Sequence, residues 1–149
     1  MFKSILCPVD FSSHADRALG YALDLAALTG ADLTIMTAVD PFLDAASSAA
    51  GHSEDLMRQT QDEVQALLAR ISGARTFPVK APGIAVVTGE AAEEILAQIA
   101  ECSADLVVMG TQGLEGARRM VFGSTTERVL RESPVPVLAV PMPDDSGTN

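Results

Sequence analysis

The sequence predicts an α/β protein built on a doubly wound parallel sheet, and three observations carry that expectation. Five short apolar runs alternate with four helical patterns along the 149 residues, the order expected when helices cover both faces of a parallel sheet. Apolar residues make up 48% of the chain and aromatics only 4%, with no Trp, so Val, Leu, Ile, Ala and Met must build the core, as in strands buried on both faces. No repeat period points to a solenoid, and the length suits one domain able to bury roughly two-thirds of the surface its unfolded form exposes.

Residues 3–9 form an apolar run ending at Pro8, Val9 and Asp10, a buried strand with a polar residue at its carboxyl end. Ser12 or Ser13 caps the helix after it, and Ala15, Ala18, Leu19, Ala22, Leu25, Ala26 and Leu28 form its apolar stripe until Gly30 stops it. Residues 31–39 make the second strand, closed by Asp40-Pro41. Residues 42–51 are rich in Ala and Ser without periodicity and read as a mobile surface connection. Residues 53–72 return to helical spacing, with Met57, Thr60, Val64, Leu67, Leu68 and Ile71 on one face. A third strand over 84–88 leads through Gly89-Glu90 into a helix over 91–102, with Ile95, Leu96 and Ile99 facing inward. The fourth strand, 105–110, ends in glycine, and a fourth helix over 125–131 is capped by Ser124. The prolines of the last strand, 134–141, place it at a sheet edge, and the polar tail 142–149 is expected to be disordered.

Charge and composition exclude several roles. Ten Lys and Arg against twenty Asp and Glu leave a net charge of -10, and the one adjacent basic pair is Arg118-Arg119, too small a patch to neutralise several phosphates of a nucleic acid. The amino terminus lacks the pattern of a signal peptide, and no stretch reaches the ~20 apolar residues of a membrane helix, so a cytoplasmic protein is expected. Cys7 and Cys102 are expected to be free thiols. With two histidines, His14 and His52, no nucleophile triad or zinc-type spacing can be assembled.

The segment between the fourth strand and fourth helix carries the functional signal. Gly110-Thr111-Gln112-Gly113 stands directly after a strand, and Gly123-Ser124-Thr125-Thr126 opens a helix. Converging backbone N–H groups without side chains in the way can cradle phosphate, and a helix start adds donors and favourable dipole charge. The Gly-Lys-Ser/Thr of a Walker loop is absent, as is the dinucleotide fingerprint after the first strand, where Pro8-Val9-Asp10-Phe11-Ser12 stands.

The spacing Gly110-x2-Gly113-x9-Gly123-Ser124, set between a Val-Val-Met strand and a Pro-Val-Pro-Val-Leu-Ala-Val strand, together with the opening Ile5-Leu6-Cys7-Pro8-Val9-Asp10-Phe11-Ser12, closely resembles the universal stress protein family. The resemblance spans residues 1–141. It implies a Rossmann-like five-stranded sheet of order 3-2-1-4-5, in which Asp10 and Gly110 face one crevice at the switch point. In the ATP-binding branch, residues matching Pro8, Val9 and Asp10 hold adenine and ribose. The residue matching Val39 lines the adenine pocket, and those matching Met109, Gly110, Gly113, Gly123, Ser124, Thr125 and Thr126 surround ribose and phosphates.

The resemblance further implies an adenine nucleotide (ATP, ADP or AMP), Mg²⁺ beside a triphosphate, and a homodimer formed through residues 135–140, Val135 and Val140 among them. Relatives often carry a basic or imidazole side chain between the paired glycines where Gln112 stands here. Three readings stay open. One is a binding and signalling module in which ATP orders the loop between Gly113 and Gly123 and changes an exposed surface or the dimer. Another is a protein-interaction module with an empty site. The last is a slow ATPase or phosphotransfer protein, without an evident general base or arginine finger.

Overall fold

Strand β1 (Ser4–Pro8) runs through the middle of the sheet, and its Ile5, Leu6 and Cys7 are each fully buried because helices cover both sides. The computed structural model describes residues 1–73, 75, 80–112 and 122–143. In chain order β1 is succeeded by α1 (Ser13–Thr29), β2 (Asp32–Val39), α2 (Pro41–Ala49), α3 (Ser53–Ser72), β3 (Gly83–Thr88), α4 (Ala91–Glu101), β4 (Leu106–Gly110), α5 (Ser124–Glu132) and β5 (Val137–Val140). All pairings are parallel, in the order β3-β2-β1-β4-β5. The expected α/β class and strand order are observed, with β5 at an edge.

The two-residue period of the strands divides the core. Ile5, Cys7, Leu33, Ile35, Leu106 and Val108 pack in one cluster with Leu19, Leu23 and Ala26 of α1 and Val64 and Leu67 of α3. Leu6, Met36, Val107 and Met109 pack on the other face with Ala92, Ile95 and Ile99 of α4 and Val129 of α5. Full burial of a Leu or Ile side chain contributes roughly 1.5–3 kcal/mol, so each face is an independent source of cohesion.

Caps decide where the helices begin and end. Ser12 Oγ accepts from Ala15 N–H at 3.2 Å at the start of α1, and Gly30, at φ 72°, ends that helix in the left-handed conformation that suits glycine. Glu90 caps α4 by accepting from the N–H groups of Glu93 at 2.9 Å and Ala92 at 3.2 Å. The Glu93 bond, with help from Ala92 and the Arg128 guanidinium, holds the Glu90 carboxyl below its ordinary pKa. Asp105 accepts from Lys3 and Ser4 N–H at 2.8 and 3.1 Å, joining the starts of β1 and β4, and these bonds lower its pKa as well.

Two expectations need correction. The described residues form five helices rather than four, because the segment expected to be a surface connection forms α2. Asp40 caps it by accepting from Phe42 N–H at 2.7 Å, and Pro41 sits at its first turn, where a missing N–H costs nothing. No side chain of α2 is buried, so there was no apolar stripe to read. The fourth expected helix starts at Ser124, with Gly123 in the cap position, one residue earlier than the Ser124 cap implied.

Both cysteines are free, and burial pushes the Cys7 thiol up to about 12. Among the described residues no helix is long and apolar enough to cross a membrane. Of the tail, residues 144–149 lie outside the described residues.

Candidate functional site

A cleft of about 700 Å³ opens at the carboxyl ends of the central strands, lined by Pro8 at the end of β1 with Val9 and Asp10 beyond it, Thr37 and Ala38 near the end of β2 with Asp40 beyond it, and Met109 and Gly110 at the end of β4 with Gln112 beyond it. Its far wall is the start of α5, Gly123 to Thr126, and Ala91 and Ile95 of α4 complete it. That volume falls in the range of small-molecule sites. The place is set by the topology: β1 has β2 on one side and β4 on the other, so the connecting helices leave in opposite directions and part the chain above it.

Each strand end is shaped by local bonds. Asp10 Oδ1 accepts from the N–H of Ser12 at 3.0 Å and from its hydroxyl. This turn holds Phe11 at φ 66°, a left-handed conformation that costs a side-chain-bearing residue roughly 1–2 kcal/mol. The strained turn fixes the Asp10 carboxylate at the cleft.

Gly110 lies against α1: a Cβ there would stand 2.9 Å from the His14 carbonyl carbon and Cβ. The Gly110 carbonyl accepts from the Thr126 hydroxyl at 2.8 Å, and the Thr111 carbonyl accepts from Gly123 N–H at 2.9 Å. These two bonds seat α5 beside β4, and they commit the Thr126 hydroxyl and the Gly123 N–H to structure.

What α5 leaves for a ligand is its first turn. Its cap position is Gly123, which has no side chain to give, and α3 likewise lacks a side-chain cap bond, whereas α1, α2 and α4 are capped by Ser12, Asp40 and Glu90. The N–H groups at the start of a helix have no intrahelical partner and carry partial positive charge. Among the described lining residues there is no Lys, Arg or His, while Asp10 and Asp40 bring carboxylates. Backbone N–H groups and hydroxyls, rather than basic side chains, are what the described lining offers to an anion. Among the described residues no cluster of three or more His, Cys, Asp or Glu could hold a metal by itself.

Of the residues singled out from the sequence, Pro8, Val9, Asp10, Met109, Gly110, Gly123, Ser124, Thr125 and Thr126 all line this one cleft. Val39 does not line it: its side chain is buried and its carbonyl accepts from Gly89 N–H at 3.1 Å. The chain turns immediately after it, so Ala38 and Asp40 stand at the rim instead. Gly113 and the Arg118-Arg119 pair lie outside the described residues. Thr37, Ala38, Asp40, Ala91 and Ile95 were missed, although a polar residue ending the second strand was a usable signal for Asp40. His14, expected to be an exposed polar residue, is half-buried, and its Nδ1 has no hydrogen-bond partner among the described residues.

Fold and cleft define a doubly wound α/β protein with an open crevice at its switch point. The chain belongs to the universal stress protein family, whose model matches residues 1–141. A universal stress protein of Thermus aquaticus is 34% identical over 140 residues, covering 94% of this chain and 99% of its own length. The solved universal stress protein UspA of Lactobacillus plantarum is 29% identical with a TM-score of 0.67, over 93% of this chain and 97% of its own. Two more distant structures share the fold. A universal stress protein in complex with cAMP is 24% identical, with a TM-score of 0.62 over 93% of this chain and 96% of its own. One from Archaeoglobus fulgidus in complex with dAMP is 19% identical, with a TM-score of 0.64 over 94% and 98%.

Proposed function

We propose that this protein binds an adenine nucleotide, ATP foremost, in the cleft above β1 and β4, and serves in the cytoplasm as a signalling module of stress resistance with at most slow hydrolysis. The observation that carries the reading is the uncapped start of α5 opening onto a cleft at the switch point. In this reading the N–H groups of α5 and the Ser124 and Thr125 hydroxyls take the phosphates, Gly110 and Gly113 let the chain approach them, and Asp10 takes the ribose hydroxyls. Pro8, Val9 and Met109 wall the nucleoside. The Thr126 hydroxyl, already bonded to Gly110, acts by holding α5 in place. The cAMP and dAMP of the two distant relatives both contain adenine, which supports the choice of base.

Mg²⁺ fits as a passenger of the triphosphate: with Asp10 and Asp40 in the cleft, it supplies the positive charge that the described side chains lack, and it keeps several waters. Slow turnover is expected from the same chemistry, since no described lining side chain is an imidazole base or a guanidinium to stabilise a transferring phosphoryl group.

Nucleotide identified by mass spectrometry in protein purified without added ligand is the expected direct result. At a hundredfold excess over Kd, Mg-ATP should add about 2.7 kcal/mol, raising Tm by roughly 5–10 °C. No shift at millimolar Mg-ATP would leave the protein-interaction role of an empty site as the remaining reading.

The same proposal includes a homodimer through the last strand. β5 is an edge of the sheet, with Leu138 39% exposed, and pairing between two copies removes an unsatisfied apolar edge. Light scattering should return twice the chain mass, and a monomer mass at micromolar concentration would overturn the dimer.

A further inference from the structure

Helix α2 has its polarity reversed. Its half-buried residues are the polar Asp44 and Ser47, and Asp44 Oδ1 accepts from the Ser53 hydroxyl of α3 at 3.0 Å. Its apolar residues are the exposed ones: Phe42 by 86% and Leu43 by 53%, with Ala45, Ala46 and Ala49 beside them. A surface helix ordinarily buries its apolar side and turns its polar side to water. One exposed phenylalanine would call for no account, but here a whole element is reversed. The start of α2 is held without apolar burial, by the Asp40 cap and by Pro41 in its first turn.

The ground around this face is acidic. Asp40 precedes Phe42 by two residues, Asp44 follows it by two, and Glu54 and Asp55 are exposed at the start of α3. Arg58 lies against Asp55 at 3.3 Å, and among the described residues no ion pair neutralises Asp40, Asp44 or Glu54.

We propose that α2 is a docking face for a partner protein, which lays on it an amphipathic helix with one apolar side and flanking lysines or arginines. The apolar side packs on Phe42 and Leu43, and the small alanines let a second helix approach to the 8–10 Å at which helices pack. The flanking cations meet Asp40, Asp44 and Glu54. The same charges disfavour other occupants. A second copy would bring identical acids together across a two-fold axis, and an anionic lipid surface is repelled by them and by the net charge of -10. Docking at this face requires no nucleotide in the cleft.

The probes are a fluorescently labelled helical peptide of Leu and Lys, with the leucines on one side, and its counterpart with Glu in place of every Lys. Anisotropy titrations with the full chain should give the Lys peptide a Kd at least about tenfold lower than the Glu peptide. Phe42→Ala keeps the backbone N–H that Asp40 accepts, so Tm should stay within about 2 °C of wild type. It should nonetheless weaken the Lys peptide about tenfold, as truncation of an aromatic anchor does, and Leu43→Ala should weaken it about threefold. Leu28→Ala, at a residue 75% exposed in the last turn of α1, should leave binding unchanged.

No binding of the Lys peptide at about 100 μM, equal binding of the Glu peptide, or losses at Leu28 as large as at Phe42 overturn the proposal. A Tm that falls with Phe42→Ala shows that the ring supports the fold, and overturns it too. A light-scattering mass that falls with Phe42→Ala assigns the face to a second copy. Sedimentation with phosphatidylglycerol vesicles that depends on Phe42 assigns it to a membrane. Either result removes the protein partner.

Discussion

Leu23→Ala is expected to lower stability by about 3 kcal/mol, a loss typical of emptying a fully buried leucine site. Leu23 has no exposed surface and stands in α1 within the cluster that joins Ile5, Ile35 and Val108 of the sheet to Val64 of α3. The loss combines the lost transfer of the side chain out of water with the cavity left where β1, β2 and β4 support one another and cannot collapse freely. In a chain of this size the corresponding fall in Tm is roughly 6–12 °C. Leu28 lies on the same helix but is 75% exposed, so Leu28→Ala should stay within about 0.5 kcal/mol of wild type. Equal shifts for the two variants in thermal unfolding would contradict the assignment of α1's inner face.

Gly110→Ala is expected to cost about 2 kcal/mol and to damage the site as well as the fold. The added Cβ meets backbone atoms of His14, at 2.9 Å from its carbonyl carbon and 3.0 Å from its oxygen, and backbone at the first turn of α1 has little room to withdraw. Overpacking of this kind typically costs about 1–3 kcal/mol. With a urea m-value of about 2 kcal/mol/M, the unfolding midpoint should fall by about 1 M. Because the Gly110 carbonyl also anchors Thr126, a displaced β4 end moves the start of α5, and Mg-ATP should stabilise this variant less than wild type. Gly83→Ala is the matched control, since a Cβ there meets only the Thr34 hydroxyl, at an ordinary 3.9 Å. Midpoints that fall equally for both variants would show that close approach at Gly110 is not what the glycine serves.

These two residues also mark how far the sequence could be read. Leu23 does not appear in the stripe assigned to α1, yet Leu19, Ala22 and Ala26 around it do, and the three-and-four spacing they set was enough to find the helix and its buried side. Gly110 was found for one property and proved to have another. Its place after a strand suggested backbone approach to phosphate, whereas its contact with His14, more than ninety positions earlier in the chain, arises only when α1 crosses the end of β4. The helix α2 escaped notice because Ala and Ser without an apolar stripe leave no periodic trace. Its cap at Asp40 and its contact with α3, where Ser53 Oγ donates to Asp44 Oδ1 at 3.0 Å, are formed by neighbours that periodicity does not register.

By itself the sequence determined the class of fold, the strands and four of the helices, because burial imposes a period on each element, and nine of the cleft-lining residues came from the resemblance of its motifs to the universal stress protein family. Tertiary structure alone decided which of the neighbouring residues at the strand ends face the cleft. Asp40 rather than Val39 stands at the rim because the chain turns there to begin α2, and the first turn of α5 stays open because the Gly123 N–H and the Thr126 hydroxyl are drawn to Thr111 and Gly110. Those choices depend on contacts between segments far apart in the chain, and no local pattern of residues records them.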